Sequence, residues 1–460
     1  MKKRSKKLAQ SRAAAERSLP VLNPDAAGID IGSEWHYVAV PEGRDSERVR
    51  RFGCYTTQLR EMAAWLKACG VRTVAMESTG VYWIPVFEVL EDEGFEVLLI
   101  DARKLKNVSG RKSDVSDCEW IQRLHSYGLL SASFRPSREI VILRSYWRHR
   151  EGLVESCSRH ILLMQKALEQ MNVQLHKAVS DITGVTGMSI IRKIVSGERN
   201  PQVLAALRQP GVKRSTEEIA QALTGTYREE HVFALQQALE GHDFLQGQIK
   251  RCDEQIERYM ASLASVESRS EAPAKRTYRR KNQAHFDLAA ELHRIVGVNI
   301  TCLPGFDALN AQRAVTECGT DMTRFPTEQN FASWLHLCPD NRITGGAIKS
   351  TRTRRGKSRA ASVFCLAAQS LLRSQGALGA RARRLKARLG PPKAITAVAH
   401  HLALLFYRLL RYGQAYVDRG QESYELQQRE QNIRTLKRKA ARLGLALLDP
   451  TTGELIGAVS

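Results

Sequence analysis

The sequence predicts a mixed α/β domain at the N-terminal end, then long helices, then a mainly helical C-terminal domain. Three observations predict it. Short strand-like runs between residues 26 and 100 come first as a pair and then alternate with helical spacing. Beyond Arg135-Pro136 the apolar positions recur at threes and fours over long stretches. And 460 residues are more than one hydrophobic core usually organises.

The elements follow in order. Residues 1–25 are basic, rich in Ala and Ser, and end in Leu-Pro and Asn-Pro, which predicts a flexible arm. Gly28–Gly32 and His36–Val40 read as a strand pair, and Arg48–Tyr55 as a further short strand. Leu59–Ala68 has helical spacing, Thr73–Met76 is a buried-strand run, Val81–Glu93 reads as a helix and Glu96–Ile100 as a strand, completing a domain over 26–136. Ile140, Leu143, Trp147, Leu153, Ile161, Met164 and Leu168 then mark a long helix, and Ile219–Met260 returns to helix after Gly and Pro breaks over 183–215. Antiparallel helices over 137–262, with dimerisation through them, are the simplest account. A basic linker spans 263–287, a third domain 288–412, and a helical tail 413–460.

Composition narrows the partner. Seventy Lys and Arg against 48 Asp and Glu leave a formal charge of +22 and a pI near 9.8, which favours a polyanion over an acidic metabolite. The nine cysteines are scattered, with no zinc-ligand spacing, and read as reduced thiols, mostly packing. No run of about 18 apolar residues occurs, which predicts a cytoplasmic, nucleoid-associated protein. His400-His401 lies on an apolar helix without metal-ligand spacing and reads as packing or as solvent-exposed.

Four acids stand out. Asp30 interrupts an apolar strand between Gly28 and Gly32, an uncomfortable place for a charge unless something compensates it. Glu77 ends the run Val74-Ala75-Met76, and Asp114 and Asp117 at i and i+3 would share one face of a helix. Singly, each is equally a cap, a turn residue or a surface charge. Jointly, they offer the hard oxygen ligands that suit Mg²⁺ or Mn²⁺ in an in-line phosphoryl displacement.

Farther on, Leu303-Pro304-Gly305-Phe306 before Ala308–Cys318 reads either as a turn that presents backbone N–H groups to phosphate or as a packing unit. Arg342, Lys349, Arg352, Arg354, Arg355, Lys357 and Arg359 form an acid-free basic stretch suited to nucleic-acid phosphates, to which Arg111 and Lys112 are added near the acids.

These motifs resemble the DEDD insertion-sequence transposases. The resemblance rests on Gly28-Ile29-Asp30-Ile31-Gly32, Met76-Glu77-Ser78-Thr79-Gly80-Val81-Tyr82 and Lys112-Ser113-Asp114-Val115-Ser116-Asp117. It continues downstream in Leu303-Pro304-Gly305-Phe306, Phe331-Ala332-Ser333-Trp334-Leu335, Cys338-Pro339 and Ile343-Thr344-Gly345-Gly346. It implies an RNase H-like first domain of the Holliday-junction resolvase form, a coiled-coil dimerisation element and a C-terminal transposase domain. It implies Mg²⁺ on Asp30, Glu77, Asp114 and Asp117, a covalent hydroxyl–DNA intermediate, a structured guide RNA, and a homodimer or homotetramer. The family's nucleophilic Ser corresponds in position to Thr344, five residues after Pro339, whose β-methyl restricts its approach. Ser350 is the alternative hydroxyl.

Other readings of the same residues are a structure-selective endonuclease without a covalent intermediate, an ATPase built on a Gly-Ile-Asp-Ile-Gly phosphate hairpin, and a non-catalytic nucleic-acid-binding protein. No adenosine-type glycine loop supports the ATPase.

Overall fold

A computed structural model describes residues 20–78, 80–100, 114–275, 281–354, 356, 358–414, 429–430 and 432–448. The chain divides into two compact units, residues 1–135 and 136–460.

The first unit is a five-stranded sheet between helices. β1 (Ala26–Ile31), β2 (Trp35–Ala39) and β3 (Val49–Gly53) pair antiparallel; α1 (Thr56–Ala68), β4 (Thr73–Glu77), α2 (Trp83–Asp92), β5 (Glu96–Ile100) and α3 (Asp114–Ser126) follow. β4 lies parallel to β1 and β5 parallel to β4, so the strand order is β3-β2-β1-β4-β5. Alternation along each strand sorts the side chains to two faces. Ile29, Ile31, Val38, Val74 and Met76 join Leu59, Met62, Leu66, Phe87 and Leu90 in one core under α1 and α2. On the other face, Ala75 and Ile100 pack against Ile121 of α3. Gly28 permits that second layer, because a Cβ on it would lie 2.2 Å from the backbone nitrogen of Gln122 and 2.5 Å from the carbonyl of Cys118. The end of the expected N-terminal arm is docked: the backbone N–H groups of Leu22 and Asn23 both donate to the carbonyl of Ser126 at 2.9 Å. Residues 1–19 of that arm lie outside the described residues.

The second unit begins with α4 (Arg138–Gln170) and is dominated by its pairing with α9 (Glu229–Ser262). The two run antiparallel, since Tyr146 meets Gln255, Arg150 meets Asp253 and Cys157 meets Gln246. Between them, the segment 183–215, with its Gly and Pro breaks, holds the short helices α6 (Val185–Val195) and α7 (Pro201–Ala205), flanked by α5 (Leu175–Ala178) and α8 (Thr216–Ala222). Asn200 caps α7 and a Ser215–Glu218 capping box starts α8, so local caps substitute for length. The expected basic linker is partly anchored as well. Buried Asp253 takes the Arg150 guanidinium and the backbone N–H of His285, while Arg150 also donates to the carbonyl of Asn282 at 3.0 Å.

The remainder is α10 (Leu288–Val296), α11 (Ala308–Cys318), α12 (Glu328–Trp334), the hairpin β6 (Arg342–Thr344) and β7 (Ala347–Ser350), then α13 (Arg359–Leu371), α14 (Ala377–Leu389) and α15 (Pro391–Tyr412). Phe306, Phe325, Phe331, Phe364, Phe406 and Tyr407 form its aromatic core. In the tail, residues 432–442 are helical, and 415–428 and 449–460 lie outside the described residues. Among the described residues no helix is long and apolar enough to cross a membrane. All nine cysteines are free thiols; five are buried, two are half-buried, and Cys54 and Cys302 are exposed.

Candidate functional site

The carboxylates on the sheet can be located by register. β1 and β4 pair Gly28 with Ala75 and Ile29 with Met76, so the next step brings Asp30 beside Glu77 on neighbouring strands. Asp30 follows Gly28 by two and Glu77 follows Ala75 by two, which puts both on the face that α3 covers. α3 crosses that face antiparallel to the strands. His125 lies 2.9 Å from the Thr73 hydroxyl at the start of β4, Gln122 donates to the Ala26 carbonyl at the start of β1, and Ile121 sits on Ala75. One turn nearer the start of α3 than Gln122 and Ile121 come Cys118 and Asp117. The opening turn of α3, from Asp114 to Asp117, therefore lies toward the C-terminal ends of β1 and β4, where Asp30 and Glu77 are.

Asp30, Glu77 and Asp117 are all half-buried. Burial pushes the Cys118 thiol up to about 12, with the charges of Glu119 and Asp30 adding to the effect, so the Asp30 carboxylate is felt on α3. The acids supply hard oxygen donors with partial shielding from water, which fits a divalent cation. Among the described residues no group of three or more His, Cys, Asp and Glu is close enough to hold a metal ion. The Asp114 side chain, with Arg111 and Lys112, lies outside the described residues.

The candidate hydroxyls occupy the β6–β7 hairpin. Its turn is Gly345-Gly346, with φ of 56° and 76°, a conformation that glycine adopts without strain. Thr344 pairs with Ala347 directly beside the turn and is exposed. A register shift then sets Ser350 opposite Arg342, which re-phases β7 and places Ser350 at a position on Thr344's face of the ribbon. The base is closed by the Pro339–Thr353 bridge and by the Asp340 N–H donating to the Arg352 carbonyl at 2.9 Å. The Ser350 hydroxyl accepts from the Arg352 N–H at 3.3 Å.

Lys349, Arg352, Arg354 and Arg359 are exposed around this ribbon, and Arg354 reaches Asp340 at 3.6 Å. Arg359 opens α13, where the helix dipole disfavours a cation, so an anionic partner would relieve an existing cost. Arg355, Lys357 and the Arg342 side chain lie outside the described residues. A broader signal is legible in the chain: from Asn341 to Val417 there are sixteen Lys and Arg and no Asp or Glu.

Other candidates serve packing. Trp147 is buried, and Trp334 stacks on Phe331 in the aromatic core. Gly305 has φ of 85°, and a Cβ there would lie 2.6 Å from the Ala367 carbonyl, so the Leu303–Phe306 turn is built to meet α13. Burial holds the His401 imidazole down to about 4, and that of His400 in the same direction.

Acids on one face of a sheet, and a basic region that carries candidate hydroxyls, are the features that a DNA-processing phosphoryl-transfer enzyme needs. Residues 27–173 match the family model of DEDD transposases of the IS110 type, and residues 298–383 match that of the IS116/IS110/IS902 transposases. Together the two matches span just over half of the chain, which belongs to this insertion-sequence transposase family and is a DNA transposase/recombinase. No curated protein matches it.

Proposed function

We propose that the chain is a divalent-metal-dependent recombinase whose first domain is RNase H-like, in the Holliday-junction resolvase form. The observation that carries this reading is the register that pairs Gly28 with Ala75 and Ile29 with Met76, from which Asp30 and Glu77 follow on adjacent strands of the face that α3 covers. Support for the fold comes from the order β3-β2-β1-β4-β5 with its antiparallel and parallel halves. Asp30, Glu77, Asp114 and Asp117 would hold Mg²⁺ or Mn²⁺, which supplies charge neutralisation at the reacting phosphate. Arg342, Lys349, Arg352, Arg354, Arg355, Lys357 and Arg359, with Arg111 and Lys112, would bind phosphates of DNA and of a structured guide RNA. The α4–α9 pair would serve as the coiled-coil element of a homodimer or homotetramer, within domains bounded at 26–136, 137–262 and 288–412. The oxygen of Thr344, with Ser350 as the alternative, attacks phosphorus. A new O–P bond forms, the P–O bond to the departing strand end breaks, the hydroxyl proton passes to a base, and the departing oxygen takes a proton.

Incubating the full chain with Mg²⁺ and a duplex spanning the element's junction tests the reading. Asp30→Asn lowers cleavage by roughly a hundredfold or more. Thr344→Ala removes the covalent protein–DNA adduct seen on a denaturing gel, and Ser350→Ala retains it. Undiminished cleavage by Asp30→Asn overturns the metal site. Cleavage without an adduct in the parent chain leaves a structure-selective endonuclease. Sequencing RNA that copurifies tests guidance, since the absence of a specific flank-derived species removes that part.

A further inference from the structure

The β6–β7 ribbon has a second face. Ile343 and Ile348 are 61% and 59% exposed, and the register sets them directly opposite each other. In a hairpin with a two-residue turn, the pair beside the turn exchanges the backbone hydrogen bonds, here Thr344 with Ala347. The next pair outward does not, so its side chains stand closest and make one apolar knob. Alternation puts that knob on the opposite face from Thr344.

The surroundings indicate what covers it. Lys349, Arg352 and Arg354 are exposed around the knob, and the acid-free stretch from Asn341 to Val417 complements a polyanion. The tip is thin: among the described residues, nothing lies within 4 Å of where a Cβ would stand on Gly345 or Gly346. A two-stranded ribbon is narrow enough for a DNA groove, and isoleucine is among the side chains that wedge between base steps.

We propose that Ile343 and Ile348 together form an apolar wedge that unstacks one base step of the bound DNA. Unstacking slackens the backbone beside that step, and the side-chain-free Gly345-Gly346 tip lets it pass to the hydroxyl-bearing face. The two isoleucines are thus positioning residues for strand exchange. The proposal rests on reading the hairpin as the strand-exchange element.

The test uses the full chain and a junction duplex carrying 2-aminopurine at successive steps. Binding of the parent chain raises fluorescence at one step. The double variant Ile343→Thr, Ile348→Thr keeps the β-branched shape, loses that rise, and slows strand exchange roughly tenfold to a hundredfold. The salt dependence of its binding is unchanged, because the phosphate contacts remain. The pair Ile343→Val, Ile348→Val restores the rise. A rise undiminished in the Thr variant overturns the wedge. So does a change in the sedimentation of the DNA-free protein, which would assign the knob to contact with a second copy. Thr344→Ala separates the two ideas: loss of the adduct with the fluorescence rise intact supports both, whereas an adduct that persists removes Thr344 without touching the wedge.

Discussion

The carboxylate face of the sheet and the β6–β7 hairpin place reactive groups by opposite means. Asp30 and Glu77 ride on adjacent strands with a core below them and a helix above, so their positions are set by registers that cannot slip without exposing that core. Thr344 rides on a ribbon of three-residue and four-residue strands whose side chains from Ile343 to Lys349 are exposed. A cation needs fixed ligands, whereas a hydroxyl that must follow a moving DNA strand gains from a support that yields. On the roles proposed above, the difference teaches that the chain would spend its packing where geometry must be exact in the absence of substrate, and would leave the other group to be ordered by DNA.

The largest expected effect separates the two supports. Gly28→Val pushes a branched side chain into the backbone of α3, where even a Cβ would lie 2.2 Å from the Gln122 nitrogen. Backbone cannot rotate aside, so α3 must lift from the sheet, at a cost of roughly 3 kcal/mol or more. Limited proteolysis should show the first unit nicked while the α4–α9 pair persists. A Gly28→Val chain with an unchanged proteolysis pattern would mean that α3 is not fixed on β1, and the register argument for the acids would fall with it.

The contrast also explains what was legible from sequence. Glu96–Ile100 and Ala308–Cys318 were readable to the residue because a compact apolar run and a clear 3.6-residue period define them. Asp30 was readable as a candidate because its charge contradicts its strand. The hairpin was not read as strands, because its Lys and Arg residues hide the alternation. The available cue was Gly345-Gly346 flanked by Ile343-Thr344 and Ala347-Ile348. The short helices α6 and α7 were masked by Gly and Pro, and here Gly184 and Pro201 mark their starts. Asp253 was invisible as an organiser, since nothing local announces that residue 285 returns to it while residue 282 meets its partner Arg150.

A smaller effect reports the carboxylates directly. If they hold Mg²⁺ in the folded chain alone, adding the ion at about ten times its dissociation constant stabilises the fold by about 1.4 kcal/mol. Thermal unfolding with and without Mg²⁺ should show this gain in the parent chain and in Thr344→Ala, but not in Asp30→Asn or Glu77→Gln. Equal gains in all four would assign the ion to some other site.

The smallest effect belongs to the hairpin. Gly346 has φ of 76°, where a Cβ is strained, but nothing within 4 Å would meet that Cβ. Gly346→Ala therefore carries only the backbone cost of about 1 kcal/mol, and that cost falls on the ribbon alone. The unfolding midpoint should stay where it is, because the hairpin shares no core with the aromatic cluster. Amide exchange from Ile343 to Ile348 should quicken roughly fivefold, the factor that about 1 kcal/mol gives. Strand exchange should slow while DNA affinity holds, since Lys349, Arg352 and Arg354 are untouched. A fall in the global midpoint would show the ribbon to be part of the cooperative fold, and the yielding support inferred for Thr344 would have to be replaced by a rigid one.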